Sequence, residues 1–208
     1  TRLLVLAVGS VLLVSVAAVG VFRWDRGTAR GAITSTTITM LGDSNTEQGD
    51  WGELLPDHDV ANRGYAGVTT AELVEVAEAV AAAEPAAVFI LTGTNDIRDG
   101  RTPGWTTDRL ERILDHFDQR APDTSVVVQT ILPRADATRQ VRAANESIRR
   151  VASDRGLPLL DLHAAFDDGA GGLRPSETTD GIHLDEAGYL RWAAAVAEVL
   201  PSVAPSDR

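Results

Sequence analysis

Neither cysteine nor lysine occurs anywhere in this sequence. The lack of cysteine excludes a thiol nucleophile, a disulfide framework and thiolate metal sites. It leaves the compartment open, because an extracytoplasmic protein can do without disulfides. The lack of lysine excludes a phosphate-binding P-loop, and no G-x-G-x-x-G run is present either. All positive charge is therefore arginine, 19 residues against 30 acidic ones, for a formal net charge of −11. An acidic surface repels phosphate backbones, so nucleic acid is excluded as a partner.

What the chain does have divides it unevenly. Leu3 to Phe22 is an apolar run without a charged side chain. At about 20 residues it is long enough to cross a hydrocarbon core of about 30 Å as a helix. Arg2 precedes it, Arg23 and Arg26 follow, and Trp24 suits a membrane interface. A transmembrane signal anchor is the first reading. A signal peptide cleaved near Ala18-Val19-Gly20 is the second, and a buried core helix the third. Arg23, Arg26 and Arg30 favour a cytoplasmic C-terminal flank, whereas the expectation adopted for the catalytic part is an extracytoplasmic one. The sequence is thus read as an anchor or signal segment with a short linker (1–30) and one domain (31–208), large enough for a sizeable core.

Within the domain, short apolar runs alternate with helical patterns. Strands are expected at Thr37–Leu41, Asp59–Asn62, Ala87–Thr92, Ser125–Ile131 and Leu157–Leu162. Helices are expected at Thr70–Ala83, Thr107–Arg120, Ala135–Arg155 and from a cap at Asp185 to Leu200, before Pro201. Strand–helix alternation with nearly continuous apolar strands implies an α/β fold, a parallel sheet with helices on both faces.

In such sheets ligands gather outside the carboxyl ends of the strands, where this chain concentrates its polar clusters. Gly42-Asp43-Ser44-Asn45-Thr46 follows the first strand, Asn62 to Gly67 the second and Gly93-Thr94-Asn95-Asp96 the third; Asp180-Gly181-Ile182-His183 precedes the last helix. A serine hydroxyl is a weak nucleophile until a base takes its proton. His183 is the best base, and Asp180 can fix its tautomer and stabilise the imidazolium. The backbone N–H of Ser44, a backbone N–H at Gly67 and the side-chain amide of Asn95 can receive a developing oxyanion. Together these residues make one acyl-transfer machine.

The four clusters, in this order, resemble the conserved blocks of the SGNH hydrolase superfamily, the GDSL-like lipases and esterases, over about Thr36 to Leu200. GDS and D-x-x-H are weak signals singly; GTND after a buried strand is more specific. The resemblance implies Ser44 as nucleophile, Asp180 and His183 as the acid–base pair, and Gly67 and Asn95 in the oxyanion hole. Gly64 rivals Gly67, which fits the family's Asn-x-x-x-x-Gly spacing from Asn62. The implied fold is a three-layer sandwich around a five-stranded parallel sheet of flavodoxin-like order. Asn45 departs from the leucine many members carry after the serine. Thr46 separates the block from the G-x-S-x-G elbow of other hydrolases.

Several features have plainer readings. Ser44 alone is a helix cap, Asp180-Gly181 alone a turn, and His183 alone an ordinary hydrogen-bonded histidine. Asp161 and His163 with Asp167 and Asp168 lack helical H-E-x-x-H spacing, so Asp161 is read as structural and no metal or other cofactor is implied. Asn145-Glu-Ser is read as a chance sequon on a helix. Trp51, Tyr65, Ile97, Arg98 and Ile182 are the candidates to shape a substrate pocket. The expected substrate is a small-molecule or glycan ester with a short acyl group, with lysophospholipids also allowed. A membrane-anchored O-acyltransferase acting on a cell-envelope glycan, and a non-catalytic binding module, are the alternatives. Oligomeric state is left open.

Overall fold

The structure is a computed structural model that describes residues 31–203. The expected anchor or signal segment at residues 1–30 lies outside the described residues. Among those described, no helix is long and apolar enough to cross a membrane.

The strands are β1 (Ile38–Gly42), β2 (Val60–Gly64), β3 (Ala87–Ile90), β4 (Ser125–Gln129) and β5 (Leu159–Leu160). All pair in parallel, in the order β2-β1-β3-β4-β5. This is the expected five-stranded sheet of flavodoxin-like order. The helices are α1 (Ser44–Glu47), α2 (Trp51–Leu54), α3 (Thr70–Ala81), α4 (Thr94–Arg98), α5 (Pro103–Arg120), α6 (Thr138–Asp154), α7 (Leu162–Phe166) and α8 (Glu186–Val203).

Side chains alternate faces along a strand, and two buried clusters form accordingly. Leu41, Val88, Ile90, Val126 and Val128 pack against Leu73, Val76 and Val80 of α3, Leu110, Ile113 and Phe117 of α5, and Val141 and Ile148 of α6. Ile38, Met40, Phe89, Leu91 and Val127 pack against Trp51 of α2, Leu162 and Phe166 of α7, and Tyr189, Trp192 and Val196 of α8. The result is a three-layer sandwich whose central strand β3 is buried throughout.

Boundaries move where local chemistry overrides periodicity. Helix α5 begins a turn before the expected Thr107. Thr102 Oγ1 accepts from Trp105 N at 3.2 Å and Pro103 takes the first helical position, where its missing N–H costs nothing. Helix α6 starts only at Thr138, because residues 134–137 close a turn, Ala137 N to Arg134 O at 3.1 Å. Strand β5 shrinks to two residues: Pro158 has no N–H for the ladder, and Asp161 already caps α7. Helix α8 carries Pro201 in its last turn rather than ending at Leu200; so near the end a proline forfeits little of the ladder.

The strand order reverses between β1 and β3, whose neighbours lie on opposite sides. Crevices at such switch points are where ligands bind in open α/β sheets. Ser44 follows β1 there, and Asn95 follows β3.

Candidate active site

At the end of β1 the backbone turns directly into α1. Asp43 caps it, its Oδ1 accepting from Asn45 N at 3.0 Å. Only glycine fits at position 42, since a Cβ there would lie 2.3 Å from Thr46 Oγ1 and 2.6 Å from Leu91 O. Ser44 is therefore the first residue of the helix, and its N–H has no intrahelical partner. The carbonyls of α1 are clamped from below. Tyr189 Oη donates to Asn45 O at 2.7 Å and Trp51 Nε1 to Thr46 O at 2.8 Å. Those two rings and Trp192 form one aromatic cluster, with Trp51 and Trp192 edge to face at 4.9 Å.

The second part of the site arrives 139 residues later in the chain. Ser44 Oγ lies 3.0 Å from His183 Nε2, and His183 Nδ1 lies 2.7 Å from Asp180 Oδ2. The loop holding the pair is closed on itself. Asp180 Oδ1 accepts from Ile182 N at 2.8 Å and His183 N at 2.7 Å, and the Thr178 hydroxyl donates to the His183 carbonyl. Arg191 Nε ties the loop to α8 through buried Glu177 at 2.6 Å. The imidazole and these N–H groups hold the Asp180 carboxyl down at about 2, although its side chain is 48 % exposed.

The third part comes from α4 and the loop after β2. Asn95 is buried; its Nδ2 donates to Val68 O at 2.9 Å and its Oδ1 accepts from Arg98 Nη1 at 2.9 Å. Gly67, at φ +75°, adjoins Val68, and a Cβ on it would lie 3.9 Å from Arg98 Nη1. The rival Gly64 is packed under α1 instead, where a Cβ would fall 2.1 Å from Glu47 N. Of the two, Gly67 is the one beside Asn95. Asp96 is buried and gathers Thr70 N at 2.9 Å, the Thr70 hydroxyl, and the Thr106 hydroxyl at 2.8 Å, fastening α4 to the starts of α3 and α5.

The pocket candidates fare unevenly. Trp51 is corrected: at 2 % exposure it is a core residue, its ring filled against Tyr189 and Trp192, and it has no face to offer a substrate. Tyr65 lines a cavity of about 380 Å³ along α3 with Arg63, Glu75 and Val80. Ile97 lines another of about 270 Å³ with Arg101, Thr106 and Arg139. Ser44, Asn95 and His183 line neither cavity. Ile182 is half-buried in the loop of Asp180 and His183. Asp161 caps α7 through Ala164 N, accepts from Thr130 and pairs with Arg149 through both oxygens at 3.0 Å, so its lone pairs are engaged. Asn145 of the sequon is buried and pairs both ways with Ile131, Nδ2 to O at 2.8 Å and N to Oδ1 at 2.7 Å.

In the sequence Asp43 is only part of a motif, and its environment makes it more. It is 1 % exposed, and burial pushes its carboxyl up to about 6 despite the Asn45 N–H, the Thr94 hydroxyl and the nearby His183. Between its ordinary value and about 6, the folded state binds the extra proton, so stability falls as pH rises through that window and stays low above it. Asp43→Asn keeps the capping oxygen and removes the buried charge. Above about pH 7 it should raise stability by on the order of 3 kcal/mol, and near pH 4 the difference should vanish. Urea titrations at the two pH values check this; a variant less stable than the parent at high pH contradicts it.

A profile of the GDSL-like lipase/acylhydrolase family matches residues 36–191, three quarters of the sequence. The chain belongs to the GDSL-like lipase/acylhydrolase family. Its members hydrolyse esters, and this chain is an esterase/lipase-type hydrolase. Among curated proteins it is 26 % identical to the platelet-activating factor acetylhydrolase IB subunit alpha1 of Pongo abelii, over 76 % of this chain and 71 % of that one. The alpha2 subunit of Rattus norvegicus is 22 % identical over 72 % of this chain and 68 % of its own. Among solved structures, a GDSL-like lipase from Bacteroides thetaiotaomicron superposes with a TM-score of 0.72 at 21 % identity, covering 84 % of this chain and 92 % of that one. That likeness shows the shared fold of the GDSL-like family.

Proposed function

We propose that this protein is a serine esterase working through an acyl-Ser44 intermediate. The observation that carries the reading is the continuous line from Ser44 Oγ to His183 Nε2 at 3.0 Å and from His183 Nδ1 to Asp180 Oδ2 at 2.7 Å. His183 takes the Ser44 proton as Oγ attacks the ester carbonyl. The oxyanion of the tetrahedral adduct receives the N–H groups of Ser44 and Gly67 and the second N–H of Asn95 Nδ2. The adduct collapses, the C–O bond to the alcohol breaks, and His183 hands that oxygen its proton. A water then gives a proton to His183 and attacks the acyl carbonyl, and the acid and free Ser44 are regenerated.

The proposed substrate carries a short acyl group on a bulky alcohol. The His183 and Asp180 side chains are 29 % and 48 % exposed, an open site that admits a large leaving group from solvent. The curated relatives are named as acetylhydrolases, which supports acetyl as the acyl group. A glycan O-acetyl ester meets both conditions. The apolar run from Leu3 to Phe22 supports a membrane-anchored setting for it.

A fluorophosphonate probe on the purified protein, beside hydrolysis of p-nitrophenyl acetate and longer esters, tests the reading. Labelling at Ser44 and a rate that falls with acyl length are expected; folded protein that neither labels nor hydrolyses overturns it. Asn95→Ala should lower kcat by about 10²- to 10³-fold, the range seen when one oxyanion donor is lost. A loss confined to KM would place Asn95 outside the oxyanion hole.

A further inference from the structure

We propose that Arg98 is a positioning residue that orients and polarises the Asn95 amide, a role that rests on the serine-esterase reading above. An asparagine amide can turn over about its last torsion, and only one of its two settings presents N–H groups to a developing oxyanion. A guanidinium has donors and no acceptor. Arg98 Nη1, 2.9 Å from Asn95, therefore faces the oxygen and sends Nδ2 the other way. Val68 O, 2.9 Å from Nδ2, takes one of its two protons and leaves the second for the site. Arg98 is itself held: its Nε donates to Asp99 Oδ1 at 2.9 Å, and the guanidinium keeps the Asp99 carboxyl below its ordinary range.

The result is a relay, Asp99 to Arg98 to Asn95, that parallels Asp180 to His183 to Ser44 on the other side of the site. Charge-assisted donation into the amide oxygen draws electron density from the nitrogen, and its remaining N–H becomes a stronger donor. The same Nη1 would lie 3.9 Å from a Cβ on Gly67, so the positive charge lies beside Gly67 as well as Asn95. At 52 % side-chain exposure Arg98 contributes little to the core, so its replacement should leave the fold intact.

The test compares kcat and KM for p-nitrophenyl acetate in the parent, Arg98→Leu, Arg98→Gln, Asn95→Ala and the double variant Arg98→Leu/Asn95→Ala. Arg98→Leu should lower kcat about 10-fold, the scale of one hydrogen bond to a charged group, with KM within about twofold. Arg98→Gln, which can still donate to the amide oxygen, should recover part of that loss. In the Asn95→Ala background, Arg98→Leu should cost almost nothing, since the group it orients is gone. Additive losses, or a change in KM alone, overturn the proposal by making Arg98 an independent group or a substrate contact. A readout free of catalysis separates this from failure of the esterase reading. In ¹⁵N spectra the Asn95 side-chain amide protons, assigned through Asn95→Ala, should be slow to exchange in the parent and faster in Arg98→Leu. An unchanged exchange rate overturns the orientation, whether or not Ser44 proves to be a nucleophile.

Discussion

Replacing Ser44 with Ala should lower kcat for ester hydrolysis by about 10⁶-fold, the scale at which a triad nucleophile is lost. The fold should survive, because the Ser44 hydroxyl holds nothing else together. Its hydrogen-bond partner is His183 Nε2, while the capping of α1 is done by Asp43 and the clamping of α1 by Tyr189 and Trp51. Alanine at the first position of a helix is no burden. Thermal unfolding should therefore match the parent while acyl-enzyme disappears from the mass spectrum of a quenched reaction. A residual acceleration of about 10³ to 10⁴ over water is expected from the oxyanion donors and substrate binding alone. The double variant Ser44→Ala/His183→Ala should be no slower than the single one, since a base without a nucleophile has no work to do. A Ser44→Ala enzyme keeping a tenth of its activity would remove Ser44 from the chemistry.

The sheet and the catalytic blocks were legible in the sequence for physical reasons, and what was missed was missed for physical reasons too. Strands buried on both faces read as apolar runs, and β1, β3 and β4 declared themselves that way. The short helices α1, α2, α4 and α7 did not, because four or five residues hold little more than one turn and show no period. Trp51, a pocket candidate in the sequence because it lies close to the Gly42–Thr46 block, is instead a core residue. Its burial comes from Tyr189 and Trp192, far along the chain. Burial likewise separates Asp43 from any other aspartate in a turn, and nothing local encodes it. The Arg98–Asn95 contact was closer to view, because residues three apart on a helix are neighbours. That the guanidinium meets the amide oxygen follows from its having donors alone; that Val68 O takes one of the two amide protons is readable only in the fold.

Asp180 is where sequence and structure pose the sharpest question, because it does two things at once. Oδ1 binds the backbone N–H groups of Ile182 and His183 and shapes the loop, while Oδ2 faces the imidazole. Asp180→Asn separates the two tasks. Asparagine can keep its oxygen on the two backbone N–H groups, so the loop should hold. Its NH₂ group then faces His183 Nδ1 and can pair only with an unprotonated nitrogen. That forces the ring proton onto Nε2, which can no longer accept the Ser44 proton. The expected outcome is a loss of about 10⁴-fold in kcat at unchanged stability near neutral pH, the effect of holding a triad histidine in the wrong tautomer. With the Asp180 carboxyl held at about 2, it stays ionised throughout the range in which a histidine titrates. What stability it lends is fully present above the ordinary carboxyl value and is lost progressively as pH falls from there through about 2. The acid limb of the parent's pH–rate profile should therefore show no titration of Asp180. An Asp180→Asn enzyme within about tenfold of the parent would reduce Asp180 to a loop-forming residue and leave His183 to act as an unassisted base.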